Sequence, residues 1–150
     1  MKEIPLSNGG FAIVDDADFD YLSQWSWRRA SQTGYPRRST SKSGKWLTID
    51  MHRQLLGPAP AGYETDHKNR NRLDNRRENL RFVNPRVNRL NRGSLKVQKH
   101  GRKWTFLFPF EEGIRVRVSG FKTKEEAQAV YALLKASLIY YELTKGSTHG

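Results

Sequence analysis

Cysteine is absent from all 150 residues. That removes disulfides, thiolate zinc sites and cysteine nucleophiles together. No stretch approaches the roughly 18 consecutive apolar residues that a membrane crossing takes. The opening residues, MKEIPLSNGG, lack the apolar core of a secretory signal. Acidic side chains are scarce: 15 Asp and Glu stand against 27 Lys and Arg, for a net charge of +12. Only 36% of the residues are apolar, so any core is small. Seven Phe, six Tyr and four Trp nevertheless exclude full disorder, because unfolded chains are poor in aromatics. The expectation is a soluble, intracellular (cytoplasmic) protein of one ordinary domain or two small modules. It has no membrane and no small-molecule substrate as partner. Its charge calls for a polyanion, nucleic acid first of all.

The charge is uneven. The net is +1 over residues 1–50, +8 over 51–100 and +3 over 101–150. Most of the middle cations are arginine, whose planar fork binds phosphate and base edges bidentately. Lys68, Arg70, Arg72, Arg76, Arg77, Arg81, Arg86 and Arg89 are therefore read as DNA-contact candidates, which set affinity and salt dependence more than sequence choice.

The patterning predicts small elements. Ile4 and Leu6, then Asn8-Gly9-Gly10, then Phe11, Ile13 and Val14 read as a hairpin. Residues 15–23 read as a short helix with Asp in its first turn. Trp25-Ser26-Trp27 reads as a strand able to pair with residues 35–38 and 46–49, and Trp25, Trp27 and Trp46 read as core aromatics. Asp50 reads as the cap of a helix over 51–56 that stops at Gly57. In the middle, residues 62–67 read as extended, 68–78 as a polar loop, and 79–83 as a half-buried strand. Asn84-Pro85 is a helix start, with the helix ending at Gly93. In the last third, 103–108 and 114–118 read as strands joined by a turn over 109–113. A capping box at Thr123 and Glu126 opens a helix whose stripe is Ala127, Val130, Tyr131, Leu134, Leu138 and Tyr141. That stripe and the sheet face bearing Ile114, Val116 and Val118 are expected to bury each other, leaving Arg115 and Arg117 outward. The tail from Thr144 is expected to fray.

The chemistry-bearing residues lie in this strand–loop–strand–helix. Phosphodiester hydrolysis needs an activated water, a divalent cation on the phosphate, and stabilisation of the leaving oxygen. A histidine such as His67 titrates near neutrality and can take the proton. A carboxylate such as Asp66 and an amide oxygen such as that of Asn88 are hard donors suited to Mg²⁺. Adjacent residues on a strand point to opposite faces, so Asp66 and His67 serve one site only if the backbone turns there.

Asp66-His67-Lys68-Asn69, followed by Leu73-Asp74-Asn75-Arg76-Arg77-Glu78-Asn79-Leu80-Arg81 and Asn88, resembles the HNH endonuclease motif, the ββα-metal fold. With Met51-His52-Arg53 ahead of it, the stretch is similar to the phage and intron-encoded homing branch. The resemblance covers residues 50–92 and implies these roles. His67 is the general base. Asp66 and Asn88 hold one Mg²⁺ or Mn²⁺ against the scissile phosphate. Asn79 braces the loop through backbone hydrogen bonds and so orients His67. Asn88 stands where many members have histidine, which points away from a tight zinc site. His52 and Asn75 are read as supports around the site. The last third resembles the three-stranded sheet plus helix of ethylene-response-type DNA-binding domains, through Trp104, Arg115, Arg117, Gly120-Phe121 and Glu125-Glu126-Ala127. Trp104, Arg115 and Arg117 are then DNA contacts.

The expected fold class is α+β: a small N-terminal β-rich region, a central ββα-metal motif over about 62–92, and a C-terminal three-stranded antiparallel sheet packed on one helix. Residues 1–93 form the nuclease module and 94–150 the DNA-binding module. The expected function is a metal-dependent DNA endonuclease, a homing or phage nicking enzyme, acting on double-stranded DNA as a monomer or weak dimer. The alternative is a non-catalytic basic DNA- or RNA-binding protein with the same fold.

Overall fold

The computed structural model describes residues 1–92, 96–111 and 114–144. The fold is mixed α+β, with four small antiparallel sheets among the described residues, and it divides into two units, Met1–Asn88 and Arg89–Gly150.

In the first unit, β1 (Lys2–Pro5) and β2 (Phe11–Val14) form the expected hairpin. Asn8 does more than turn the chain: its side chain bonds the backbone N–H and C=O of Arg29 at 2.8 and 2.9 Å. Helix α1 (Asp16–Leu22) follows. The strand expected at Trp25–Trp27 starts later, at β3 (Arg28–Arg29). Trp27 is instead a core anchor, 1% exposed, its indole N–H donating to the Leu22 carbonyl at 2.8 Å. A large ring with one satisfied polar atom is worth more buried than alternating across a strand. Strand β3 pairs with β4 (Pro36–Lys42), which pairs with β5 (Lys45–Asp50). Trp46, expected in the core, is 78% exposed on β5.

Helix α2 (Met51–Leu56) ends at Gly57 in a left-handed conformation, φ 77°, which suits glycine. Asp50 does not cap it, because its carboxylate takes a two-pronged pair from Arg37 at 2.6 and 3.2 Å. Strand β6 (Glu64–His67) pairs antiparallel with β7 (Leu80–Val83), and a 3-10 turn (Arg77–Asn79) leads into β7. Ile4, Leu6, Val14, Leu22, Met51 and Leu80 meet in one core, so the hairpin, α1, α2 and β7 share a floor. Helix α3 (Pro85–Arg92) starts as expected, with the Asn84 side chain accepting the Val87 N–H at 2.9 Å. Its expected end at Gly93 lies outside the described residues.

The second unit holds β8 (Val97–His100), β9 (Lys103–Glu111), β10 (Ile114–Phe121) and α4 (Lys124–Thr144). The order is β10-β9-β8. The turn expected over 109–113 is a correction, because Pro109 continues β9. The β8 pairing stops at Phe106, so proline sits where one side of β9 is an edge. Phe110 and Glu111 continue β9 as well, and residues 112–113 and the tail beyond Thr144 lie outside the described residues. Phe106, Phe108, Ala127 and Tyr131 form the core. The helix stripe is shorter than its pattern: Leu134 (37% exposed) and Tyr141 (55%) face outward, as do Ile114 (50%) and Val116 (43%). An edge strand meets the helix only near its end, at Val118 and Phe121. Half of the capping box forms as expected, with Thr123 Oγ1 accepting the Glu126 N–H at 3.1 Å, while the Glu126 carboxylate accepts the N–H of Lys122 rather than of Thr123.

Candidate active site

The site grows from the β6–β7 pair. Its register sets Asp66 opposite Arg81 and His67 opposite Leu80. Alternation puts Glu64 and Asp66 on one face, and Thr65 and His67 on the other. The chain turns immediately after His67: Lys68 donates to the Asn79 carbonyl at 2.9 Å and Arg70 to the His67 carbonyl at 2.8 Å, with Arg70 in the left-handed region at φ 64°.

The loop between the strands is polar in sequence yet closely tied. Asn79, 5% exposed, accepts the Asn69 N–H at 3.0 Å and donates to the Asp74 carbonyl at 2.7 Å. Asp74, 2% exposed, accepts from Asn69 at 2.8 Å and from both arms of Arg76 at 2.8 and 2.9 Å. The Arg76 guanidinium holds its carboxyl below the usual carboxylate range, against the opposing effect of burial. The backbone of Ile13 on β2 brackets the loop, accepting from Asn75 and donating to the Leu73 carbonyl, both at 2.8 Å. Arg77 closes the far end on Asp18, at 2.7 and 2.8 Å.

His67 is buried, 4% exposed. Its Nε2 lies 3.4 Å from Asn75 Oδ1, and the Asn75 amide donates to the Arg72 carbonyl at 3.3 Å. A carboxamide oxygen only accepts, so this contact selects the tautomer protonated at Nε2 and leaves the lone pair on Nδ1. Tyr35 stacks on the imidazole, centroids 5.5 Å apart, and His52 meets it edge-on at 5.4 Å. Arg72 lies over the Tyr35 ring at 5.1 Å. Burial pulls the His67 pKa below its ordinary value, although Asn75, Asp66 and Asp74 oppose that shift. The imidazole is therefore neutral at neutral pH, the form a general base requires.

Asp66 is 4% exposed, its Oδ2 held by Arg81 Nε and Nη2 at 3.0 and 2.9 Å. Asn88, 1% exposed, donates its amide to Glu64, so it lies over the face of β6 that carries Asp66. Its Oδ1 is buried without a hydrogen-bond partner. A buried acceptor left unpaired costs about 1–3 kcal/mol, so such atoms call for an explanation. A cation supplies one, and the donor set fits a hard divalent ion that takes few protein oxygens and keeps its waters. Among the described residues no group of three His, Cys, Asp or Glu gathers into a metal cluster.

Residues 51–90 match the HNH endonuclease family. This stretch is similar to an HNH endonuclease domain. The chain is 26% identical over 142 residues to an uncharacterized HNH endonuclease of Acanthamoeba polyphaga mimivirus, covering 87% of this chain and 71% of that one. It is 37% identical over 73 residues to the DNA endonuclease I-HmuI of Bacillus phage SP01, covering 44% of this chain and 42% of the phage protein. No solved structure matches. The family match and the endonuclease relatives together mark the chain as a nuclease. The relatives carry no support for an ethylene-response-type module after it. No helix among the described residues is long and apolar enough to cross a membrane.

Several arginines read as DNA contacts are engaged within the first unit. Arg76 holds Asp74, Arg77 holds Asp18, Arg81 holds Asp66, and Arg72 donates to the Thr33 carbonyl at 2.6 Å. Lys68, Arg70 and Arg89 are exposed and Arg86 is half-buried. In the second unit, register sets Arg115 opposite Pro109 and Arg117 opposite Leu107, on the sheet face away from Phe106 and Phe108. Trp104 packs against the core beneath α4. Tyr35 and Glu64 went unread in the sequence. Tyr35 sits 32 residues before His67 with no local spacing to connect them, and Glu64 is marked only by its period-2 relation to Asp66.

Proposed function

We propose that the chain is a divalent-metal-dependent DNA endonuclease, hydrolysing one phosphodiester bond in double-stranded DNA, as a phage-type or homing nicking enzyme. The observation that carries this reading is the buried, unpartnered Asn88 Oδ1 over the Asp66 face of β6. Asp66 and Asn88 would hold one Mg²⁺ or Mn²⁺, which when bound supplies charge neutralisation at the scissile phosphate and the leaving oxygen. His67, kept neutral by burial and oriented by Asn75 at Nε2, accepts the proton of the attacking water at Nδ1. Asn79 holds the loop that orients His67, while Tyr35 and His52 pack against the imidazole ring. Residues 1–93 act as the nuclease module and 94–150 as a DNA-binding module of the ethylene-response type. Lys68, Arg70, Arg86, Arg89, Arg115 and Arg117 are the phosphate contacts. One site per chain cuts one strand, so a monomer in the cytoplasm of the host cell nicks.

One observation favours the alternative of a binder without turnover: Arg81 already occupies Asp66. Incubation with supercoiled plasmid separates the two. The enzyme converts it to nicked circles with Mg²⁺ or Mn²⁺ and stops with chelator. His67→Ala lowers the rate by about 10²–10⁴-fold while DNA affinity persists. A His67→Ala protein that nicks at the parent rate overturns the mechanism. Intact plasmid with either metal leaves the binder.

A further inference from the structure

Beyond Arg37, strand β3 no longer accompanies β4, and residues 39–48 continue as a two-stranded ribbon alone. Its tip is a tight two-residue turn with both central residues left-handed, Ser43 at φ 50° and Gly44 at φ 73°. That geometry matches the right-handed twist of the strands, so the ribbon is well formed. Its chemistry is not that of a self-sufficient hairpin. Trp46 is 78% exposed and Leu47 46%, on opposite faces, against only Ser and Thr cross-strand partners. Lys42 and Lys45 stand directly opposite each other, a like-charge pair that costs stability. Among the described residues neither lysine forms an ion pair, and residues 38–49 contain no acidic side chain. A bare indole beside two unneutralised cations suits a partner that offers phosphates and ring edges together.

We propose that this ribbon is a DNA-binding arm that enters the major groove beside the cleaved bond, with Lys42 and Lys45 on phosphates and Trp46 against the groove wall. The major groove admits a two-stranded ribbon. The base of the arm is tied to the catalytic histidine from both strands. Tyr35, just before β4, stacks on His67, and β5 runs without a break into α2, whose His52 touches the same ring. From Asp50 to Lys45 the ribbon extends about 17 Å. Along a duplex with about 3.4 Å per nucleotide, that is about five base pairs from the base of the arm.

The inference rests on the DNA-cleaving reading above, and binding by the His67→Ala protein keeps the two apart. Fluorescence anisotropy with a labelled duplex measures affinity against salt, and dimethyl sulfate protection reads guanine N7 in the major groove. In the His67→Ala background, Lys42→Ala with Lys45→Ala should weaken binding several-fold and make the slope of log K against log salt shallower by about 2. Trp46→Ala should abolish N7 protection about five base pairs from the nick site while the rest of the footprint persists. Both changes lie on exposed residues, and near-UV circular dichroism checks the fold. If the parent binds no duplex, the DNA reading itself falls. If the parent binds and the variants match it in affinity, slope and footprint, the arm is overturned. Dimerisation of the parent that Trp46→Ala abolishes, without change in DNA binding, also overturns it and assigns the ribbon to self-association.

Discussion

His52 is a strongly perturbed titratable side chain beside His67. It is 5% exposed, its Nδ1 has no hydrogen-bond partner, and burial, with the nearby His67, pushes its pKa down to about 4. The unfolded chain protonates this residue near pH 6.5, while the folded chain resists until about pH 4. The unfolded state therefore binds more protons in that window, and stability is lost as pH falls from about 6.5 towards 4, by up to about 3 kcal/mol. Urea unfolding at pH 7.5 and 4.5 should show the loss, and His52→Phe should flatten it; equal stability at both pH values counts against the burial argument. The His67 shift has the same sign, so the acid limb of the nicking rate should lie below pH 6.5. At the face proposed for the metal, Asn88→Asp places a second carboxylate beside Glu64. This variant should melt lower than the parent in chelator and regain stability on addition of Mg²⁺ or Mn²⁺. A melting temperature that ignores both ions would argue against ligation there.

At the scale of elements, the loop between β6 and β7 shows how a polar segment is ordered without a core. Asn79 satisfies one N–H and one carbonyl of that loop from a buried position. Asn79→Ala strands both, at about 1–3 kcal/mol, and should lower nicking through a misplaced His67 more than it lowers DNA affinity. A variant that loses stability but keeps the full rate per folded molecule would separate loop bracing from catalysis. Much of the element order was legible in sequence, because helix starts and stops are local chemistry. Asn84-Pro85 and Gly57 bound their helices at the expected residues. Trp25–Trp27 and residues 109–111 misled for one reason. Alternation and proline describe a residue's own preference, whereas a buried indole and an edge position on β9 depend on what lies alongside.

For the molecule as a whole, the charge of +12 is the most exposed prediction. Several of the middle-segment arginines are tied to carboxylates, so fewer cations reach DNA than the composition offers. Binding should still weaken steeply and linearly in log salt. Replacing Arg115 and Arg117 with alanine should reduce the slope by about 2, while Arg76→Ala and Arg77→Ala should change stability and leave the slope nearly unaltered. An equal effect of all four on the slope would mean that the internal pairs open on DNA.

Composition and local pattern alone determined that this is a basic α+β protein without thiol chemistry, and that an imidazole, a carboxylate and an amide stand at the spacing of an HNH domain. These are properties of residue types and short spacings, which the chain carries whether or not it is folded. Only the tertiary structure decided which arginines are spent on Asp18, Asp66 and Asp74, that Tyr35 and His52 enclose the imidazole, and that Trp46 stands bare at the end of a ribbon. Those outcomes depend on partners tens of residues away, and no local preference encodes the burial and pairing that only folding brings about.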